Sequence, residues 1–138
     1  MSPAEARGRF AAARVARLAT AGADGAPHIV PIVFAVARDG DRDLIYSVVD
    51  DKRKRTTALR RLANVASNPS VSVLVDHYEE DWTALWWARA DGAARVLDDG
   101  DGDESERAVA LLARRYPRQR AVGAVLAIEV RRWSGWSA

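Results

Sequence analysis

Apolar positions along this chain fall into short, often alternating runs separated by polar turns rich in glycine, aspartate and proline, a rhythm that predicts strands more often than helices. Ser2, Pro3 and an alanine-rich stretch to residue 13 predict a short N-terminal helix, with Ser2 as cap and proline at the first helical position. Residues 15–20 predict a strand, followed by a turn around Gly22, Asp24, Gly25 and Pro27. Residues 28–37 are almost continuously apolar and predict one strand covered on both faces. Pro31 within it cannot donate to a ladder, which marks an edge, a bulge or an opening toward a ligand. A hairpin loop at 38–43 leads to a strand at 44–49.

A helix is expected over 55–66, its apolar stripe carried by Leu59, Leu62, Ala63 and Ala66, and Ser67-Asn68-Pro69 stops it. Residues 71–77 alternate, with Val71, Val73 and Val75 facing one way. A long strand at 85–97 should break near Asp91-Gly92. An acidic loop at 98–104, an amphipathic helix at 105–116 ended by Pro117, and a last strand at 124–133 complete the chain. About six strands and two or three helices, without βαβ repetition, predict a mainly β fold: an antiparallel barrel or sandwich with helical insertions. With no internal repeat or low-complexity linker, residues 1–138 read as one domain.

Charge changes this picture locally. The chain has 21 basic residues, and its only lysines, Lys52 and Lys54, stand two apart in the run Asp50-Asp51-Lys52-Arg53-Lys54-Arg55. Lysine differs from arginine in hydration and hydrogen-bond geometry. A cationic segment feeding a helix start suits a phosphate or carboxylate, although a solvated charged turn has the same composition. Residues 50–61 are rich in cations, 98–106 in acids, and a further basic cluster holds Arg114, Arg115, Arg118 and Arg120. Such alternation favours localised anion sites over a continuous nucleic-acid face. The chain contains no cysteine, which excludes disulfides and thiolate chemistry. The start has no apolar signal core and no run is long enough for a membrane helix, so a cytoplasmic protein without membrane partners is expected.

No chemistry of the chain's own stands out. His28 and His77 are the only histidines; neither has metal-ligand spacing, and both fall at strand ends, where an imidazole commonly just satisfies a hydrogen bond. Nucleophile-elbow, phosphate-loop and dinucleotide motifs are all missing. Five tryptophans are a large allotment. Of Trp86 and Trp87, adjacent on a strand, one need face outward. Trp133 and Trp136 lie in a terminus that ordinarily frays. Subunit packing and contact with a planar ligand both account for Trp87, Trp133 and Trp136, and His28 is placed with them as a substrate or interface residue.

Taken together, Pro31, Ile32, Val33 and Phe34 offer an apolar bed for a planar ring. Tyr46, Ser47 and Val48 lie on the next strand, where Ser47 can bond the ring's polar edge. Lys52, Lys54 and Arg55 are placed to take an anionic tail. No catalytic residue is assigned, and the reactive group would be a cofactor's.

The ordered set Leu18-Ala-Thr20, Gly25-x-Pro27-His28-x2-Pro31-x2-Phe34, Ile45-Tyr46-Ser47, Lys52-x-Lys54-Arg55 and Asn68-Pro69-x-Val71-x-Val73 resembles the pyridoxamine 5′-phosphate oxidase-like superfamily, the FMN-binding split β-barrels. Asp76-x-Tyr78-x2-Asp81-Trp82-x2-Leu85-Trp86-Trp87-x-Arg89 is similar to an actinobacterial branch of deazaflavin (F420)-dependent reductases. The resemblance implies a split barrel that forms a homodimer with cofactor sites between subunits. It also implies a ring cradled by residues 31–34 and 46–48, phosphate binding by Lys52, Lys54 and Arg55 with a hydroxyl from helix-start Thr56, and hydride transfer from reduced F420 to a small unsaturated or quinone-like acceptor. An FMN-dependent oxidoreductase of the same fold, or a carrier of flavin, deazaflavin or haem, is the alternative. The oxidases carry a basic, histidine-containing motif near the C-terminus. Here the chain ends Arg131-Arg132-Trp133-Ser134-Gly135-Trp136-Ser137-Ala138, so the resemblance does not extend to their substrate site.

Overall fold

A computed structural model describes residues 1–49, 56–98, 101–119 and 123–138, with no side-chain description for 56–59. The elements in chain order are α1 (Pro3–Ala12), β1 (Ala16–Ala21), β2 (Pro27–Ile32), β3 (Ala35–Asp39), β4 (Arg42–Val49), α2 (Thr56–Ser67), β5 (Ser70–His77), a 3-10 turn (Trp82–Ala84), β6 (Trp86–Val96), α3 (Gly102–Arg115) and β7 (Ala124–Ser137). All seven strands belong to one antiparallel sheet in the order β2-β1-β5-β6-β7-β4-β3. The fold is a mainly β split barrel with helical insertions, one strand richer than expected.

The additional strand comes from residues 28–37, which are not one strand. β2 pairs with β1, whereas β3 pairs with β4 at the opposite end of the sheet order. Only Val33 and Phe34 join them, and three virtual bonds of 3.8 Å span at most about 11 Å. A chain can reach the far edge in two residues only if the sheet curls until its edges approach, so this short crossover is what makes the sheet a barrel.

The barrel interior holds Leu18, Ile32, Phe34, Ile45, Val73, Val75, Leu126 and Ile128, and α1 adds Ala6 and Phe10. The α1 cap forms as expected, with Ser2 Oγ accepting from Glu5 N at 3.1 Å. On β5 the buried residues are the expected Val71, Val73 and Val75. α3 covers the outer side of β4 and β7, packing Ala108 against Leu44, Tyr46, Val125 and Ala127. Those two strands are therefore buried on both faces, which explains their unbroken apolar runs.

Three boundaries differ from expectation. α3 begins at Gly102 rather than 105, because Asp103 and Glu104 suit the positive end of a helix better than a loop. β7 continues past 133 to Ser137, its end held by pairs Trp87↔Trp136 and Arg89↔Ser134, so the terminus is laddered instead of frayed. The irregularity near Asp91-Gly92 is present, but Asp91 pairs with Arg132 and Gly92 with Val130, which puts the extra residue, Arg131, on β7.

Candidate cofactor site

The β2–β3 crossover is fixed by side chains from two distant elements. Ser47 Oγ donates to the Val33 carbonyl at 2.8 Å. The Tyr116 hydroxyl accepts from Phe34 N at 3.2 Å and lies 2.9 and 3.0 Å from the carbonyls of Phe34 and Arg14, one of which receives its proton. Arg115 Nε donates to the same oxygen at 3.0 Å. Phe34 is fully buried, its ring 4.9 Å from that of Phe10. Pro31 is exposed, Ile32 is core and Val33 is half-buried, so this apolar segment meets solvent at Pro31 and Val33.

Strand alternation separates the β4 residues. Ser47 is on the crossover side, while Tyr46 and Val48 pack toward α3. Tyr46 donates its phenolic proton to Glu104 at 2.7 Å, and Glu104 also receives a hydrogen bond from Arg95. Burial, reinforced by Glu104, pushes the Tyr46 phenol far above its ordinary value, so it remains neutral. Lys52, Lys54 and Arg55 lie outside the described residues. Thr56 is the first residue of α2.

Trp133 is an internal residue: its ring meets Phe10 edge-on at 5.2 Å, and Nε1 donates to Asp43 at 2.8 Å. Trp87 and Trp136 pair on the outer side of β6 and β7, with the Arg89 guanidinium 5.6 Å from the Trp87 ring. Outside β2, Ile29 is 65% exposed between exposed Pro27 and Pro31. No helix packs on the outer side of β1, β2 and β5 among the described residues, and a hollow of about 430 Å³ there is lined by Ala19, Ala21, Pro27, Ser70 and Ser72.

On the opposite side of β2, His28 stands beside α2. Thr20 pairs with His28 across the β1–β2 ladder, and Asn64 Nδ2 from α2 donates to Thr20 Oγ1 at 3.1 Å. Arg60 and Arg61 precede Asn64 by four and three residues, the spacing of neighbours on a helix. Burial, then the charges of Arg60 and Arg61, lower the His28 pKa below its ordinary value, so the imidazole is neutral at neutral pH. His28 Nδ1 and Arg61 Nε are both inaccessible to solvent and have no hydrogen-bond partner among the described residues. The first turn of α2 carries no acid.

In the sequence Arg61 is one of several cations in 50–61, and composition alone does not single it out. Its i, i+3 spacing with polar Asn64, both flanking the apolar stripe of α2, is the signal that places it against the barrel. Among the described residues no group of three or more His, Asp or Glu side chains is arranged to hold a metal, and no helix is long and apolar enough to cross a membrane.

Residues 2–137 match the pyridoxamine 5′-phosphate oxidase family, and the chain belongs to it. No curated protein shows significant similarity to the sequence. Among solved structures, an FAD-binding protein from Mesorhizobium loti is similar at 25% identity and a TM-score of 0.68, over 98% of this chain and 92% of that one. The FAD-binding protein from Mycobacterium smegmatis is 17% identical with a TM-score of 0.64, over 99% of this chain and 94% of the other. A heme-binding protein from Mycobacterium smegmatis is 24% identical with a TM-score of 0.66, over 99% of this chain and 54% of its own length. The last two likenesses establish the common fold.

Proposed function

We propose that this protein is a cytoplasmic, homodimeric reductase that uses reduced F420 to deliver a hydride to a small unsaturated or quinone-like acceptor. The observation that carries the reading is the pair of buried nitrogens unpartnered among the described residues, His28 Nδ1 on β2 and Arg61 Nε on α2, the helix that follows the Lys52–Arg55 run. A cofactor with a ring and an anionic tail fits these residues. Val33 and the exposed edge of Pro31 would border the ring, beside the crossover held by Ser47 and Tyr116. Lys52, Lys54, Arg55 and Thr56 would take the phosphate. Arg60 and Arg61 add cations beyond what a single phosphate needs, which favours the carboxylate-bearing tail of F420 over FMN.

When bound and reduced, the deazaflavin supplies the hydride, and the acceptor also takes up a proton. The chain's own residues bind and orient the two rings, and the apolar crossover keeps water from the reacting face. The outer side of β1, β2 and β5, with Ile29 at its centre and Trp87 and Trp136 at its margin, is the surface we assign to the dimer. An Ile29→Glu protein should then elute and scatter as a monomer, and an unchanged dimer would remove this side from the interface.

The flavin alternative is favoured by one observation, the FAD-binding Mesorhizobium loti protein of similar structure. Titration of apo-protein with F420 and with FMN, read by tryptophan quenching, separates the two. Tighter F420 binding, lost in a Lys52→Ala/Lys54→Ala protein, supports the reductase. Preference for FMN moves the protein to flavin chemistry. Binding of reduced F420 without anaerobic reoxidation by quinones or enones would indicate a carrier.

A further inference from the structure

A buried guanidinium nitrogen and a buried imidazole nitrogen without partners are costly, because each has surrendered water and received nothing in exchange. Here both occur together, on facing elements, with a second arginine one residue away. The guanidinium charges of Arg60 and Arg61 from α2 act on His28, and Asn64 of the same helix is engaged with Thr20 of β1. Among the described residues, the charges that act on His28 are those of Arg60 and Arg61, both positive. Neutral His28 can present Nδ1–H as a donor, and Arg61 Nε–H can only donate. In the tautomer that carries the proton on Nδ1, His28 and Arg61 offer two donors beside two positive charges, a place suited to an oxyanion.

We propose that His28 and Arg61, assisted by Arg60, form an oxyanion subsite distinct from the Lys52–Arg55 phosphate run, which takes a carboxylate or second anionic group on the tail of the ligand. This rests on the proposed function for the identity of the ligand, though not for the existence of the subsite. The subsite distinguishes ligands by tail: F420 carries carboxylates beyond its phosphate, FMN does not, and riboflavin has neither. Occupation would place a negative charge against His28 and raise its pKa from its lowered value, so binding is linked to proton uptake.

The variant Arg61→Met keeps most of the packed stem and removes the charge and the orphaned donor. A merely structural arginine would lose stability on this change. A subsite arginine should leave the melting temperature of the ligand-free protein unchanged or higher, because an unpartnered buried charge is relieved. It should weaken F420 binding about ten- to a hundredfold, the worth of a charge-assisted hydrogen bond, and leave riboflavin binding unchanged. Equal F420 affinity in Arg61→Met and wild type would overturn the subsite, as would a marked fall in melting temperature with F420 and riboflavin weakened alike.

Should wild type bind no flavin or deazaflavin, the proposed function fails and the subsite is still decided by NMR. With two histidines in the chain, a His77→Gln background leaves His28 alone in the imidazole region. Titration with inorganic phosphate or glutamate at fixed ionic strength should move its resonances saturably and raise its pKa. Resonances indifferent to both anions would overturn the proposal.

Discussion

Replacing Tyr116 by phenylalanine removes one oxygen atom and tests the device that curls this sheet into a barrel. Tyr116 caps the C-terminal end of α3 and is 8% exposed. Its hydroxyl serves Phe34 N–H and one carbonyl of Phe34 or Arg14, and the Phe34 residue is wholly out of solvent. Without the oxygen, a donor and an acceptor at the crossover are left dry. Each costs about 1–3 kcal/mol; the Arg14 carbonyl has the exposed chain around it and can recruit water, so the expected loss is about 2–4 kcal/mol. For a chain of this size about 1 kcal/mol corresponds to roughly 3–5 °C, which puts the melting temperature about 6–20 °C lower. Urea unfolding followed by tryptophan fluorescence should show a lower midpoint with an unchanged slope. Ser47→Ala, which releases the neighbouring Val33 carbonyl, should couple to it by more than about 0.5 kcal/mol in a double-mutant cycle. A Tyr116→Phe protein destabilised by less than about 0.5 kcal/mol would refute the reasoning, since the Phe34 polar groups would then have other partners.

Asp43 joins three elements by receiving hydrogen bonds from Arg7 Nε at 2.9 Å, Arg38 Nε at 3.1 Å and Trp133 Nε1 at 2.8 Å. Burial pushes its carboxyl up, but the bonds from Trp133, Arg38 and Arg7 outweigh that and hold it below its ordinary value of 3.8. A depressed carboxylate contributes stability that is complete above the unfolded pKa and is lost as pH falls through the folded one. Acid unfolding below about pH 4 should therefore be shallower in Asp43→Asn than in wild type, and an identical acid limb would exclude Asp43 as a contributor. At Gly92 an added Cβ would lie 2.1 Å from the Glu129 carbonyl oxygen and 3.1 Å from Val130 Cα, both backbone. Gly92→Ala should cost about 2–3 kcal/mol by urea midpoint, and a neutral result would mean that the β7 bulge yields freely.

Much of this fold was legible because strand and helix periods act residue by residue. Val71, Val73 and Val75 are buried because alternate side chains share a face, and any reader of the pattern finds them. The Ser2 cap, the Asn68-Pro69 stop and the irregularity opposite Gly92 are equally local. The order of cationic run and helix start was legible too, as was family membership through ordered motifs. Tertiary structure alone decided where residues 28–37 divide, because an apolar run has the same composition whether it continues or crosses between edges. It also decided that Trp133 is internal and that the C-terminus is a strand, since both depend on partners 45 or more residues away in the chain: Asp43 and Phe10 for the ring, Trp87 and Arg89 for the ladder. The convergence of His28 with Arg61 has the same origin. Each residue alone is an ordinary strand-end or helical polar group, and only the packing of α2 beside β1 brings Arg61 near His28, because burial and pairing are properties of neighbours in space.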